Sequence, residues 1–233
     1  MRVKTESANP GLLSILINPD QVITIDANFF IAPDRSRLGT QAFSYLKFQE
    51  IWLEPLFIAF SKLAIHEAVY SEFNLGETKG FVDNKIALNP GGLIIFSDSK
   101  LTKIESMLRD TIEKNISKFT KYDISRDNRD DRGEVKSLAY IAVKNLLYFA
   151  SNDSTAIMLI EESTKLSTSL DNVQALKMYE LIYYLYNKNL SNPNDMKMLY
   201  KYLYYLTPDE KKNNPEWGKF VQSMDSIYLL LVE

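Results

Sequence analysis

Four short acidic segments lie far apart in this 233-residue chain: Ile25-Asp26-Ala27-Asn28, Val69-Tyr70-Ser71-Glu72, Asp131-Arg132-Gly133-Glu134 and Ser151-Asn152-Asp153-Ser154. Each stands where a strand is expected to end or a helix to begin. Carboxylates gathered in one place repel one another unless a divalent cation or shared protons neutralise them. Oxygen-only donors suit Mg2+ or Mn2+, ions that retain waters and bind phosphate. Taken singly, each acid has a plainer reading: Asp153, ahead of Ser154-Thr155-Ala156, is also a helix N-cap. Glu67, five residues before Glu72, is an alternative second acid, and Asp130 and Asp131 precede Gly133-Glu134 as further candidates or as ordinary helix-start acids.

The elements that must position these acids follow from hydrophobic period. Short apolar runs at Val22–Ile25, Lys62–Ile65, Leu93–Phe96 and Leu147–Ala150 read as buried strands, with a fifth at Leu166-Ser167-Thr168. Helical spacing recurs between them, at Phe43–Phe48, Pro55–Phe60, His66–Phe73, Leu101–Phe119, from Gly133 onward, and at Ala156–Glu162. In the Leu101–Phe119 segment, Ile104, Leu108, Ile112 and Ile116 share one register. Alternation of strand and helix predicts an α/β/α domain with a parallel sheet covered on both faces. Asp26 and Asp153 then fall at strand ends and Glu72 and Glu134 in first turns of helices, all able to face the crevice at the carboxyl ends of the strands.

Beyond Asp171 the pattern predicts helices only, at Val173–Tyr186, Met196–Leu206 and Glu216–Leu231. The expected organisation is an N-terminal segment (1–19), an α/β domain (20–172) and a C-terminal all-helical, tyrosine-rich extension (173–233). Its tyrosines form either a surface for a partner or stacked bases, or a helix-packing core, which is the simpler reading.

Composition narrows the classes. With 45% hydrophobic residues the chain can bury a full core, and a formal charge of −3 gives no global basic excess. The absence of cysteine removes thiolate metal sites and cysteine nucleophiles, and a single histidine with no nucleophile elbow argues against serine hydrolase chemistry. Asn89-Pro90-Gly91-Gly92 is a turn signal and not a phosphate loop. The apolar run Leu12–Ile17 is short and lacks a cleavage site, and nothing approaches the ~20 apolar residues of a membrane span. A soluble, cytoplasmic protein without a membrane partner is expected.

The motifs Ile23-Thr24-Ile25-Asp26-Ala27-Asn28, Ala68-Val69-Tyr70-Ser71-Glu72-Phe73, Arg132-Gly133-Glu134-Val135-Lys136-Ser137-Leu138-Ala139 and Ala150-Ser151-Asn152-Asp153 resemble, in order and placement, those of the PIN domains, metal-dependent nucleases best known as ribonuclease toxins. The resemblance covers about residues 20–170. It implies a PIN-like fold, Asp26, Glu134 and Asp153 as ligands of Mg2+ or Mn2+, Glu72 as the fourth catalytic acid, and Asn28 as a supporting polar group. It further implies an RNA substrate, a small antitoxin as protein partner, and a homodimer. Arg35, Arg37, Arg129 and Arg132 flank the acidic segments and either hold phosphates or balance neighbouring acids. His66 is a proton carrier or, more simply, a cap. The alternative function is a catalytically inactive PIN-like binding or assembly module that acts through its helical tail.

Overall fold

The β-branched run Ile23-Thr24-Ile25 forms β1 (Ile23–Ile25), buried along its whole length, as the middle strand of a sheet covered on both faces must be. The computed structural model, which describes residues 1–88 and 91–232, surrounds it with β2 (Leu63–His66), β3 (Ile94–Phe96), β4 (Tyr148–Ser151) and β5 (Gln174–Lys177). The sheet is all-parallel with the order β3-β2-β1-β4-β5. Ile23 sits opposite Leu63 on one side and Tyr148 on the other, and Ile25 opposite Ala150. The α/β class expected from the sequence is therefore the class observed. Asn89 and Pro90, half of the expected turn, lie outside the described residues.

The first four strands fall within a residue of their expected positions. The fifth does not. Leu166 ends a short helix (Ser163–Leu166), and Ser167 turns left-handed with φ 54°. The Thr168 hydroxyl is buried in that turn, donating to the Leu159 carbonyl at 2.9 Å. The strand lies instead at Gln174–Lys177, inside the segment expected to be only helical. Gln-Ala-Leu-Lys has no β-branched residue, so its extended form is imposed by its neighbour: the Gln174 N–H donates to the Leu147 carbonyl at 2.6 Å. The following helix accordingly begins at Met178.

The chain forms two compact units, one of residues 22–31 and 61–176 and the other of residues 1–21, 32–60 and 177–233. Residues 32–60, which the sequence reading groups with the sheet, thus belong with the C-terminal helices. In the sheet unit, the Arg132–Val143 helix buries Val135, Leu138 and Ala139, the expected stripe.

The Lys103–Ser117 helix follows the expected stripe only in its second half, where Ile112 and Ile116 pack against the core. Ile104 and Leu108 are 72% and 53% exposed, while Arg109 and Glu113 point inward beside Ile116. The cause is ionic: Arg109 pairs with Asp98 and Glu113, and Lys136 of the neighbouring helix reaches Glu113 at 3.5 Å and Asp127 at 3.2 Å. A charged face at i,i+4 spacing competes with the apolar stripe, and here the charged face packs.

In the helical unit, Tyr179, Tyr183, Tyr200 and Tyr204 are fully buried. Tyr200 stacks on Phe220 at 4.5 Å and donates its hydroxyl to the Pro215 carbonyl, and Tyr183 donates to Asp225. These tyrosines are core, as the simpler reading holds. Among the described residues no helix is long and apolar enough to cross a membrane.

Removing one partner of a buried ion network strands the others. Arg109→Ala should therefore cost about 3 kcal/mol in urea denaturation, whereas Ile104→Ala should cost under about 1 kcal/mol. Equal costs would mean the apolar stripe, not the ionic face, holds this helix.

Candidate functional site

Strand order reverses between β1 and β4, and the carboxyl ends of these two strands flank the crevice in which open α/β sheets bind ligands. Asp26 follows β1 and Asp153 follows β4. The Asp26 N–H extends the ladder by donating to the Ala150 carbonyl at 3.0 Å, which fixes the two strand ends together. Asp26 is only 3% exposed. Its Oδ1 accepts from the Ala27 N–H at 2.7 Å, and its Oδ2 accepts from the Ser151 hydroxyl at 2.9 Å and from the Asn28 amide. Asn28 also accepts from the Asn152 N–H at 3.2 Å, so it ties the β1 turn to the β4 turn.

Asp153 caps the Ser154–Glu161 helix: its Oδ1 accepts from Thr155 N–H at 2.6 Å and Ala156 N–H at 3.1 Å. The plain N-cap reading of the sequence is thus correct for one oxygen of this carboxylate.

Glu134, in the first turn of the Arg132–Val143 helix, is half-buried, and its carboxyl interacts with that of Asp26. Burial raises both carboxyls. For Asp26 the rise is opposed by the Ser151 hydroxyl, by Glu134 and by the Ala27 N–H. For Glu134 it is reinforced by the charges of Asp26 and Asp153, so Glu134 is the more strongly raised of the two. Burial and the mutual charge of the two carboxyls thus favour a proton held between them, on the Glu134 side.

Glu72 completes the acidic group, but not from a helix first turn: the helix is short (Glu67–Tyr70), and Glu72 lies just beyond its end. Its Oε1 accepts from the Gly133 N–H at 2.9 Å. A Cβ at Gly133 would lie 2.1 Å from that oxygen and 3.1 Å from Val69 Cγ2, so the glycine is what lets the carboxylate dock. Its carboxyl is raised by burial and then by the Asp26 charge, against the Gly133 N–H and Arg132. Because the residue as a whole is exposed, water screens that rise.

Glu67 goes elsewhere. Its Oε1 accepts from the Asp98 N–H at 2.9 Å, and with His66 and Asp98 it forms a group at the ends of β2 and β3. One ligand atom from each of these three lies within 4.8 Å of the others, an arrangement that can hold a metal ion. The donor atoms of Asp26, Glu134 and Asp153 do not converge that closely. His66 Nδ1 accepts from the Ala68 N–H at 3.2 Å, which assigns the ring proton to Nε2, 3.2 Å from Asp98 Oδ1. His66 is therefore a helix cap. Sequence reasoning missed Asp98 as a partner, although it too is an acid just past a strand, in Phe96-Ser97-Asp98.

Asp131 turns left-handed (φ 55°) and its carboxylate accepts from the Lys121 N–H at 2.7 Å, a brace for the preceding loop. Of the four arginines, Arg132 stands by the acids: its Nη1 donates to the Ser71 hydroxyl at 3.2 Å and its Nε to Asp127 at 2.9 Å. Arg35 is in the helical unit, bound to Glu210 and to the Tyr202 and Leu203 carbonyls, and is structural. Arg37 and Arg129 are exposed.

Compared with known proteins, the chain matches no family model, no curated protein and no solved structure.

The donor set is compatible with a hard divalent cation: it offers oxygen only, and two of its carboxyls already need a proton between them, which a cation can replace. The proton itself has a measurable consequence. A folded-state pKa raised above the ordinary 4.5 means the folded protein binds the proton more tightly, so this stabilisation is complete below pH ~4.5 and declines as pH rises toward the folded value. Glu134→Gln, a permanent donor to Asp26, should gain on wild type as pH rises, by about 2 kcal/mol at pH 7. Urea denaturation in EDTA at pH 4.5, 6 and 7.5 reads this, and a pH-independent difference would show that no proton is shared. Gly133→Ala should push Glu72 off the Gly133 amide at a cost of about 1 kcal/mol, visible as loss of protection of that amide from hydrogen exchange.

Proposed function

We propose that this protein is an Mg2+- or Mn2+-dependent phosphodiesterase acting on RNA. The observation that carries the reading is the meeting of the Asp26 and Glu134 carboxyls at the reversal point of the sheet, both raised by burial and by the Asp153 charge, with Glu72 raised in turn by the charge of Asp26. RNA as the substrate comes from the resemblance of the acidic motifs to those of PIN nucleases.

Asp26, Glu134 and Asp153 would hold the cation. When bound, such an ion supplies an activated water and neutralises charge on a phosphate. The chain's own residues set the geometry. Asn28 and Ser151 fix the Asp26 carboxylate, and the Thr155 and Ala156 amides fix one oxygen of Asp153. Glu72, raised by its surroundings, is suited to accept a proton from an attacking water near neutral pH. Arg132 adds a positive charge beside Glu72.

One observation favours a second reading, a non-catalytic module. Asp26 accepts hydrogen bonds from Ala27, Asn28 and Ser151 and Asp153 caps a helix, so both acids also have structural tasks.

Cleavage of a labelled single-stranded RNA with Mn2+ separates the two. Asp26→Asn, Glu134→Gln and Asp153→Asn should each lower the rate by at least ~100-fold, and Glu72→Gln by roughly 10-fold to 100-fold. Glu134→Gln should do so while being more stable than wild type without metal. Wild-type rates in Asp26→Asn or Glu134→Gln would sink the hydrolase reading, and absence of both cleavage and calorimetric Mn2+ binding in the wild type would establish the module.

A further inference from the structure

The Pro193–Tyr204 helix has two unlike faces. One buries Met196, Leu199, Tyr200 and Tyr204 in the helical unit. The other, with the Pro208–Asn213 helix, lines an open groove of about 630 Å³ formed by Lys197, Met198, Lys201, Tyr202, Tyr205 and Lys211 among others.

Three features of this groove go together. Lys197 and Lys201 are four residues apart, so they sit on one helix face about 6 Å apart along the axis, the scale of successive phosphates on a strand. Lys211 supplies a third ammonium from the second helix. Among the described residues no carboxylate pairs with any of the three, and two nearby acids are already engaged: Asp195 with Lys47 at 3.3 Å and Glu210 with Arg35 at 2.6 Å. Two aromatic rings line the same groove. Tyr202 is held rigidly, its hydroxyl accepting from the Arg35 N–H and donating to the Gln41 carbonyl, with its ring edge-on to Phe43 at 5.0 Å. Tyr205 ends the helix and its side chain is partly exposed.

Unpaired ammonium groups spaced along a groove take a polyanion, and ring faces and a methionine between them take flat apolar groups carried by that polyanion. A free phosphate would use the lysines and leave the rings idle. An acidic peptide has carboxylates but no planar base at each step. We propose that this groove binds single-stranded nucleic acid, with Lys197, Lys201 and Lys211 on phosphates and Tyr205 stacked on a base. The inference rests on this groove alone and does not require the acidic group to be a hydrolase.

The test is fluorescence anisotropy of a labelled 12-nucleotide single strand, as RNA and as DNA, with the full chain in EDTA so that cleavage plays no part. Wild type should bind, and a large excess of unlabelled single strand should compete while polyglutamate at equal charge should not. Lys197→Ala/Lys201→Ala/Lys211→Ala should weaken binding at least ~10-fold and reduce the slope of log K against log salt by about 2, at ~0.7 per phosphate contact. Tyr205→Ala should weaken binding several-fold with the slope unchanged. RNA and DNA binding alike, or RNA alone, each fit the groove. The inference is overturned if wild type binds neither strand at 50 mM salt, if the triple variant keeps wild-type affinity and slope with its circular dichroism unchanged, or if polyglutamate competes equally. Binding without Mn2+-dependent cleavage would leave this inference standing and remove the hydrolase reading, and the converse result would do the reverse.

Discussion

Two carboxyl groups that meet below the surface repel each other unless a proton or a cation lies between them, and Asp26 and Glu134 meet in this way at the carboxyl ends of the strands. Coulomb repulsion at contact distance in a partly desolvated site far exceeds what one or two hydrogen bonds return. The local sequence supplies three donors to Asp26: the Ala27 N–H of the turn, the Asn28 amide and the Ser151 hydroxyl. These hold Asp26 as the charged member and leave the proton to Glu134. Parallel pairing of β1 with β4 makes this possible, because Ser151 can reach Asp26 only if the two strands end together, as the Ile25 to Ala150 register ensures. Where two carboxyls need a proton between them, a divalent cation can take that proton's place.

The same sheet carries a second acidic group that meets the constraint by another route. Asp98, beyond β3, is bound by Arg109, and the charge alternation continues through Glu113, Lys136 and Asp127 to Arg132. His66 caps Ala68 through Nδ1 and turns Nε2 to Asp98. The His66, Glu67 and Asp98 atoms lie closer together than those around Asp26, yet a guanidinium already supplies the charge a cation would bring. Proximity of ligand atoms and demand for a cation are thus separated in this molecule: the tighter cluster is the one already compensated. Among the described residues no arginine hydrogen-bonds Asp26, Glu134 or Asp153, and for that reason the proposed assignment falls on them.

How much of this is legible in the sequence depends on which force decides each element. Strands β1 to β4 are legible because buried parallel strands are short apolar runs, and the acid after each run is legible by position. β5 is not, because Gln174-Ala175-Leu176-Lys177 is extended only through its pairing beside β4, a tertiary effect with no local signature. The Lys103–Ser117 helix is legible as a helix but not in the orientation of its first half, because Arg109 and Glu113 recur with the same period as Ile104 and Leu108. The separate placement of Glu67 and Glu72 is likewise set by backbone geometry: the helix from Glu67 stops at Tyr70, and the Gly133 N–H takes the Glu72 carboxylate. Glycine at 133 is visible in the sequence, but its purpose appears only when the atom it would displace is known.

The tyrosine-rich helices show the same division between type and placement. Tyr200 and Tyr204 are one turn apart and both buried, while Tyr202 and Tyr205 lie on the open side of the same helix. Burial of a phenol requires a partner for its hydroxyl, and Tyr183 and Tyr200 have theirs in Asp225 and the Pro215 carbonyl. Those rings are fixed by packing and can be replaced only by groups of similar volume. Tyr205 has no hydrogen bond from its hydroxyl to any described residue, and its neighbours are lysines, not carboxylates. A core tyrosine and a binding tyrosine therefore differ in this helix not in residue type or spacing but in what the opposite wall offers: another aromatic ring for the first, and unpaired positive charge for the second.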